Sequence, residues 1–104
     1  MTVVQPIFIE KTINYWNELI KRGKVKLNGQ YVNYDIFRTI QEGNELRKYL
    51  YLETETGHVE EAQLLTSMNE VLAIKPYKID KAEDGLVLVF AFELTINEKG
   101  VDVL

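Results

Sequence analysis

Apolar residues near the start of the chain recur with the period of a helix and form one stripe. The members of that stripe are Ile13, Trp16, Leu19 and Ile20. Thr12 can cap such a helix, and Gly23 stands where a glycine often ends one. The pattern predicts one helix from about Ile9 to Arg22, and Pro6 offers an alternative, earlier start.

After Gly23 the period changes to two, which predicts strands. The dipeptide Asn28-Gly29 separates two such segments and is a strong hairpin signal. A two-residue turn there places Leu27 opposite Gln30. One face of the predicted hairpin, expected to pack under the helix, carries Val25, Leu27, Val32, Tyr34 and Ile36. The opposite face carries Lys24, Lys26, Tyr31, Asn33 and Asp35.

Four later segments also have strand patterns. Leu46–Glu53 alternates aliphatic with aromatic or polar residues, and Val59–Leu65 follows after a turn. Val71–Ile74 runs toward Pro76, which predicts a sheet edge or a bulge there. Leu86–Ile96 is long and apolar, so it predicts a central strand, buried on both faces over its first half.

Short connections and the lack of β-α-β spacing predict an antiparallel sheet. We therefore predict a single α+β domain over residues 1–104, with one N-terminal helix packed on an antiparallel meander of five to seven strands. A small β-barrel or sandwich capped by the helix is the alternative. Residues 97–104 form a tail that could fray or add to a partner.

The composition excludes some classes of function but does not assign one. The 104 residues are 46% hydrophobic and 27% charged, typical of a folded domain, and the net charge of −4 argues against a general nucleic-acid binder. Residues 1–48 hold eight basic and five acidic residues, whereas residues 49–104 hold four and eleven. This gradient is either an ordinary solvated surface or a dipole suited to docking or head-to-tail assembly.

No catalytic set is recognisable. The chain has no Cys, which excludes disulfides and thiolate chemistry, and its single histidine, His58, lies in a predicted turn. The single serine, Ser67, lacks a nucleophile-elbow motif, and adjacent carboxylates occur only in polar segments. We therefore expect no enzyme activity, no metal site and no cofactor.

Tyrosines and two lysines are the candidate partner-binding residues. Tyr49 and Tyr51 alternate with aliphatic residues, and Tyr31 lies opposite the predicted core face, so all three could anchor an interface. Lys24 and Lys26 share the face of Tyr31 and resemble a minimal platform for single-stranded nucleic acid. The acidic balance of the chain argues against that use and favours a protein partner or self-association.

Nothing in the sequence predicts a membrane segment or an export signal. The longest apolar run, Leu86–Phe92, is seven residues, whereas a membrane span needs about twenty. The N-terminus has neither a basic segment nor an apolar stretch of signal-peptide length. The expected location is the cytoplasm.

The pattern of predicted strands and turns gives one family resemblance. It rests on the segments 46–53, 56–65, 71–73 and 83–94. Together they resemble small proteins from phages and prophages of Gram-positive bacteria that are grouped with tail or baseplate modules. The resemblance implies non-catalytic assembly or partner binding and a virion-associated location, and it assigns no site residues. The expected function is a non-enzymatic interaction or structural domain. The alternatives are a small-ligand-binding barrel and an acidic inhibitor that blocks a nucleic-acid enzyme.

Overall fold

The computed structural model describes residues 3–100, in which one helix precedes seven strands. The elements are α1 (Pro6–Leu19), β1 (Arg22–Leu27), β2 (Gln30–Asp35), β3 (Arg38–Glu42), β4 (Glu45–Leu52), β5 (Gly57–Leu65), β6 (Val71–Lys81) and β7 (Leu86–Glu93). Every strand pairing is antiparallel. The predicted α+β class with antiparallel strands is confirmed.

The strands form two sheets instead of the single predicted meander. Sheet A has the order β2-β1-β5-β6, and sheet B has the order β3-β4-β7. The pairings of β1 with β5 and of β4 with β7 join strands that are distant in sequence. Over the described residues neither sheet closes on itself, so the barrel alternative is wrong. Two sheets around one core are closer to the sandwich alternative.

The β1–β2 hairpin matches its prediction residue by residue. Leu27 pairs with Gln30 and Val25 with Val32. Asn28 and Gly29 have φ angles of 52° and 77°, as the tight hairpin turn requires. The Asn28 side chain also accepts a hydrogen bond from the His58 backbone N–H and donates one to the Thr56 carbonyl. The turn is therefore fixed to the loop before β5.

The helix bounds of Ile9 and Arg22 were wrong by three residues at each end, whereas the alternative start at Pro6 is confirmed. The helix begins at Pro6, whose missing N–H costs nothing in a first turn. Thr12 does not cap it, and its hydroxyl instead donates to the Phe8 carbonyl one turn earlier. The helix ends at Leu19 because the next residues join sheet A, where the Lys21 backbone N–H donates to the Leu65 carbonyl.

One hydrophobic core lies between sheet A, sheet B and the helix. Its fully buried side chains include Ile13, Val25, Leu46, Leu50, Leu52, Val59 and Leu64. The sheets approach closely at Gly23, where an added Cβ would lie 2.4 Å from Leu50 Cδ2. The predicted apolar face of the hairpin therefore faces sheet B and does not lie under the helix.

The helix packs against β4, and a buried lysine holds it there. Lys48 shares the inward face of β4 with leucines. Its ammonium donates to Asn17 Oδ1 on the helix and, over 2.9 Å, to Thr39 Oγ1 on β3. Burial lowers the pKa of Lys48 because desolvation disfavours the charged form, and the nearby charge of Lys21 acts in the same direction.

Three strand predictions need correction. β7 is an edge strand of sheet B instead of a central one, and its Val87 and Ala91 side chains are exposed. The segment Arg38–Glu42, which carried no predicted element, forms β3. β6 extends to Lys81, well past Pro76, because an edge strand tolerates proline. Pro76 itself lies on an edge beside a register shift, as predicted.

The charge gradient along the sequence does not separate the charges in space. Basic β1, from the first half of the chain, lies beside acidic β5 from the second half. Lys26 and Glu60 form an ion pair across that boundary at 3.9 Å. Interleaved strands thus mix the two halves. In residues 3–100, the single helix is too short and polar to cross a membrane. Of the predicted tail, residues 97–100 are exposed and irregular, and residues 101–104 lie outside the described range.

Candidate functional site

The five predicted partner-binding residues lie on two separate faces. Lys24, Lys26 and Tyr31 come together on the outer face of sheet A. Tyr49 and Tyr51 lie on the outer face of sheet B, which is the opposite side of the core. We treat the two groups as separate candidate surfaces.

The lysine–tyrosine cluster consists of Lys24, Lys26, Tyr31, Glu60 and Glu61. The ammonium groups of both lysines lie over the Tyr31 ring, at 5.6 and 5.8 Å from its centre. The Tyr31 hydroxyl donates to Glu61 over 3.1 Å, and this bond raises the pKa of Tyr31. The ring is half exposed.

This cluster is poorly suited to nucleic acid. A single-strand platform needs a free ring face for base stacking and uncompensated cations for phosphate. Here both lysines already lie over the ring, and two carboxylates flank it. The geometry is better matched to a protein partner with a carboxylate that can contact Lys24.

The aromatic face of sheet B consists of Phe37, Tyr49, Tyr51, Val87 and Val89. Tyr49 pairs with Val89 and Tyr51 with Val87 in neighbouring strands. The Phe37 ring lies 5.0 Å from the Tyr51 ring, and the Phe37 backbone N–H donates to the Tyr49 carbonyl. Phe37 is 58% exposed and Val87 is 48% exposed. The face is therefore apolar, continuous and open to solvent.

Charged residues border the aromatic face. The Arg47 guanidinium donates to Glu45 over 2.6 Å and also contacts Tyr49, and both interactions raise its pKa. Arg38 is exposed directly beside Tyr49 on β3. The Tyr51 hydroxyl packs over Gly85, where an added Cβ would lie 2.5 Å from the hydroxyl oxygen. An aromatic centre with a polar rim is the usual composition of a protein interface.

The residues weighed for catalysis are not assembled into a reactive site. His58 Nδ1 lies 2.8 Å from Asp80 Oδ1, but both side chains are on the surface. Ser67 lies just beyond the other end of β5, and its backbone carbonyl accepts a hydrogen bond from Arg22. Within residues 3–100 no group of three metal-ligating side chains is close enough to hold an ion.

Comparisons with known proteins do not add a family. No family model, curated protein or solved structure matches this chain. The function must therefore be argued from the surfaces themselves.

Sequence reasoning missed the most exposed aromatic residue of the face. Phe37 lies in the connection between β2 and β3, where no periodic pattern marks a side chain as inward or outward. It also missed two exposed aromatic residues on the outer side of the helix. Phe8 and Tyr15 are exposed there and stand seven residues apart, a spacing that places both on one side. That spacing was the available signal.

Stability should depend on pH through Tyr34 and Glu55. The Tyr34 hydroxyl donates to Glu55 over 2.6 Å. Burial, together with this bond, raises the pKa of Tyr34, and the bond lowers the pKa of Glu55. The stabilisation from Glu55 should therefore disappear as the pH falls below its unfolded pKa of about 4, and that from Tyr34 as the pH rises above about 10.

We expect Tyr34→Phe to remove the pH dependence of stability that arises from Glu55 at low pH and from Tyr34 at high pH. The difference in unfolding free energy between wild type and this variant should be largest near neutral pH and should shrink at both extremes. Urea denaturation across the pH range measures it. Tyr15→Phe, on the exposed side of the helix, is the matched control and should track wild type throughout. A constant difference at all pH values would contradict the assignment.

Proposed function

We propose that this chain is a non-catalytic protein-interaction or assembly domain whose aromatic face binds a protein partner. The exposed Phe37 ring packed against Tyr51 carries the proposal. A large apolar ring in water is unfavourable unless a partner covers it, because burying it would stabilise the complex by about 2 kcal/mol. The flat, strand-built surface suits a protein better than a small molecule.

Three further observations support this proposal. Tyr49 and Tyr51 extend from β4 and the Phe37 ring packs against Tyr51, so little side-chain entropy is lost on binding. Tyrosine is enriched among residues that dominate binding energy. The resemblance to phage tail and baseplate proteins points to the same class of function, assembly with other proteins.

The test uses partners encoded next to this chain's gene. We expect the tagged protein, co-expressed with each neighbouring gene product, to retain one of them, and Phe37→Ser to abolish that retention. Gln41→Ser, on the neighbouring β3 strand but directed to the helix through its bond to Asn14, is the matched control and should bind like wild type. Binding strength is then measured by calorimetry on the purified pair.

Two outcomes would reject the aromatic face as the binding surface. One is equal retention of a partner by wild type and Phe37→Ser. The other is loss of binding in the Gln41→Ser control, which would place the contact on the helix side of β3. Circular dichroism of each variant excludes unfolding as the cause.

A further inference from the structure

The four edge strands of the two sheets are unequally protected against pairing with another strand. β6 contains Pro76 and two lysines before its last residue, and it pairs through two register shifts. β7 has its Val89 carbonyl occupied by the Lys75 ammonium at 3.1 Å. β3 is only five residues long, with a charged residue at each end. Charges, proline, bulges and short length are the common devices that prevent edge pairing.

β2 is the least protected of the four, since its one charged residue, Asp35, stands at its end. Its six residues contain no lysine and no proline, and its pairing with β1 has no register shift. Because Leu27 and Gln30 flank a two-residue turn, they form a hydrogen-bonded pair, and such pairs alternate along the hairpin. The backbone groups of Tyr31, Asn33 and Asp35 consequently point away from β1, along an exposed edge.

We propose that the β2 edge pairs with the same edge of a second copy of this chain. Two antiparallel β2 strands can meet about a two-fold axis at Asn33, so that Asn33 faces its own counterpart. Their outward backbone groups then bond to one another, and the two four-stranded sheets join into one continuous sheet.

Charge and apolar complementarity favour a second copy as the occupant. In this register Tyr31 lies opposite Asp35 of the second copy, and the ammonium of Lys24 already lies over that Tyr31 ring. Neither Lys24 nor Asp35 has an ion pair within residues 3–100, so each supplies the charge that the other lacks. On the inward face Val32, which is 37% exposed, meets Tyr34 of the second copy.

This interface is separate from the aromatic face, so the two proposals can fail independently. β2 is an edge of sheet A, whereas the aromatic face belongs to sheet B. A monomeric protein that still binds its partner through Phe37 would reject only the β2 interface. A dimer without a partner would leave only the aromatic face unsupported.

The first test is light scattering over a concentration series. We expect wild type to convert from monomer to dimer, and Asn33→Pro to weaken the dimer at least about tenfold, because it removes an outward N–H that β1 does not use. Asn33→Ala keeps that N–H and should dimerise like wild type. Asp35→Lys should also weaken the dimer, and high salt should weaken the wild-type dimer.

The second test fixes the register and does not depend on a folded proline variant. Asn33→Cys, in a chain that has no cysteine, should form a disulfide-linked dimer on mild oxidation, since facing residues lie within disulfide range. Asp35→Cys and Lys78→Cys, at two other exposed positions, are the controls and should link far more slowly. A wild type that stays monomeric at all concentrations, or equal linking by the controls, would overturn the proposal.

Discussion

Replacing Lys81 with methionine should destabilise the protein by about 3 kcal/mol, one of the two largest single effects expected here. Lys81 is only 6% exposed, although it ends an edge strand. Its ammonium donates to the carbonyls of Glu53, Glu55 and Ala82, the first and last at 2.9 and 3.0 Å. One side chain thus satisfies three backbone acceptors from two loops.

The cost arises because methionine fills the space but donates nothing. Three partly buried carbonyls would lose their hydrogen bonds, and each unsatisfied group costs about 1 kcal/mol or more. The loop between β4 and β5 would also lose its attachment to the loop between β6 and β7. The loop between β6 and β7 borders the aromatic face, because its Gly85 lies against the Tyr51 hydroxyl, so partner binding should weaken as well.

Urea denaturation of Lys81→Met against Lys78→Met measures the effect. Lys78 lies three residues earlier on β6 and is exposed, so the same substitution there should change the unfolding free energy by less than about 0.5 kcal/mol. Comparable stability of the two variants would mean that Lys81 is not needed to hold the loops together.

Local rules account for the elements that the sequence predicted correctly. The Asn28-Gly29 turn determines its own register, because only residues that accept positive φ form this turn. The alternation in β4 places Leu46, Leu50 and Leu52 inward because strand side chains alternate between faces. Neither inference needs a distant residue. The same rules placed Lys24, Lys26 and Tyr31 together on one face.

Contacts between distant residues explain what was missed. No local signal shows that β1 pairs with β5 or that β7 lies at the edge of sheet B, since both depend on pairing between strands that are distant in the sequence. Tyr49 and Tyr51 were placed on one face correctly, but the split into two sheets moved that face away from Tyr31. Phe37 belongs to the aromatic face only because the β2–β3 connection crosses from sheet A to sheet B.

The closest approach of the two sheets gives the other large expected effect. Gly23 lies in β1 against Leu50 of β4, and an alanine Cβ there would lie 2.4 and 2.6 Å from the two Leu50 methyl carbons. Leu50 is fully buried, so it cannot move aside without disturbing the core. We expect Gly23→Ala to cost about 2 kcal/mol through overpacking and Leu50→Ala to cost about 3 kcal/mol through the cavity it leaves.

The two changes should compensate each other when they are combined. In the Leu50→Ala background the new methyl group enters the vacated space, and alanine restricts the unfolded chain more than glycine does. Gly23→Ala should then be neutral or stabilising instead of destabilising. Unfolding free energies of the four proteins give the coupling, expected to be at least about 2 kcal/mol. Gly100 has open space around it, so Gly100→Ala is the control that measures the effect of a glycine-to-alanine change without a contact like that with Leu50. Additive effects would mean that β1 and β4 do not meet at these residues, and the packing of sheet A on sheet B would have to be revised.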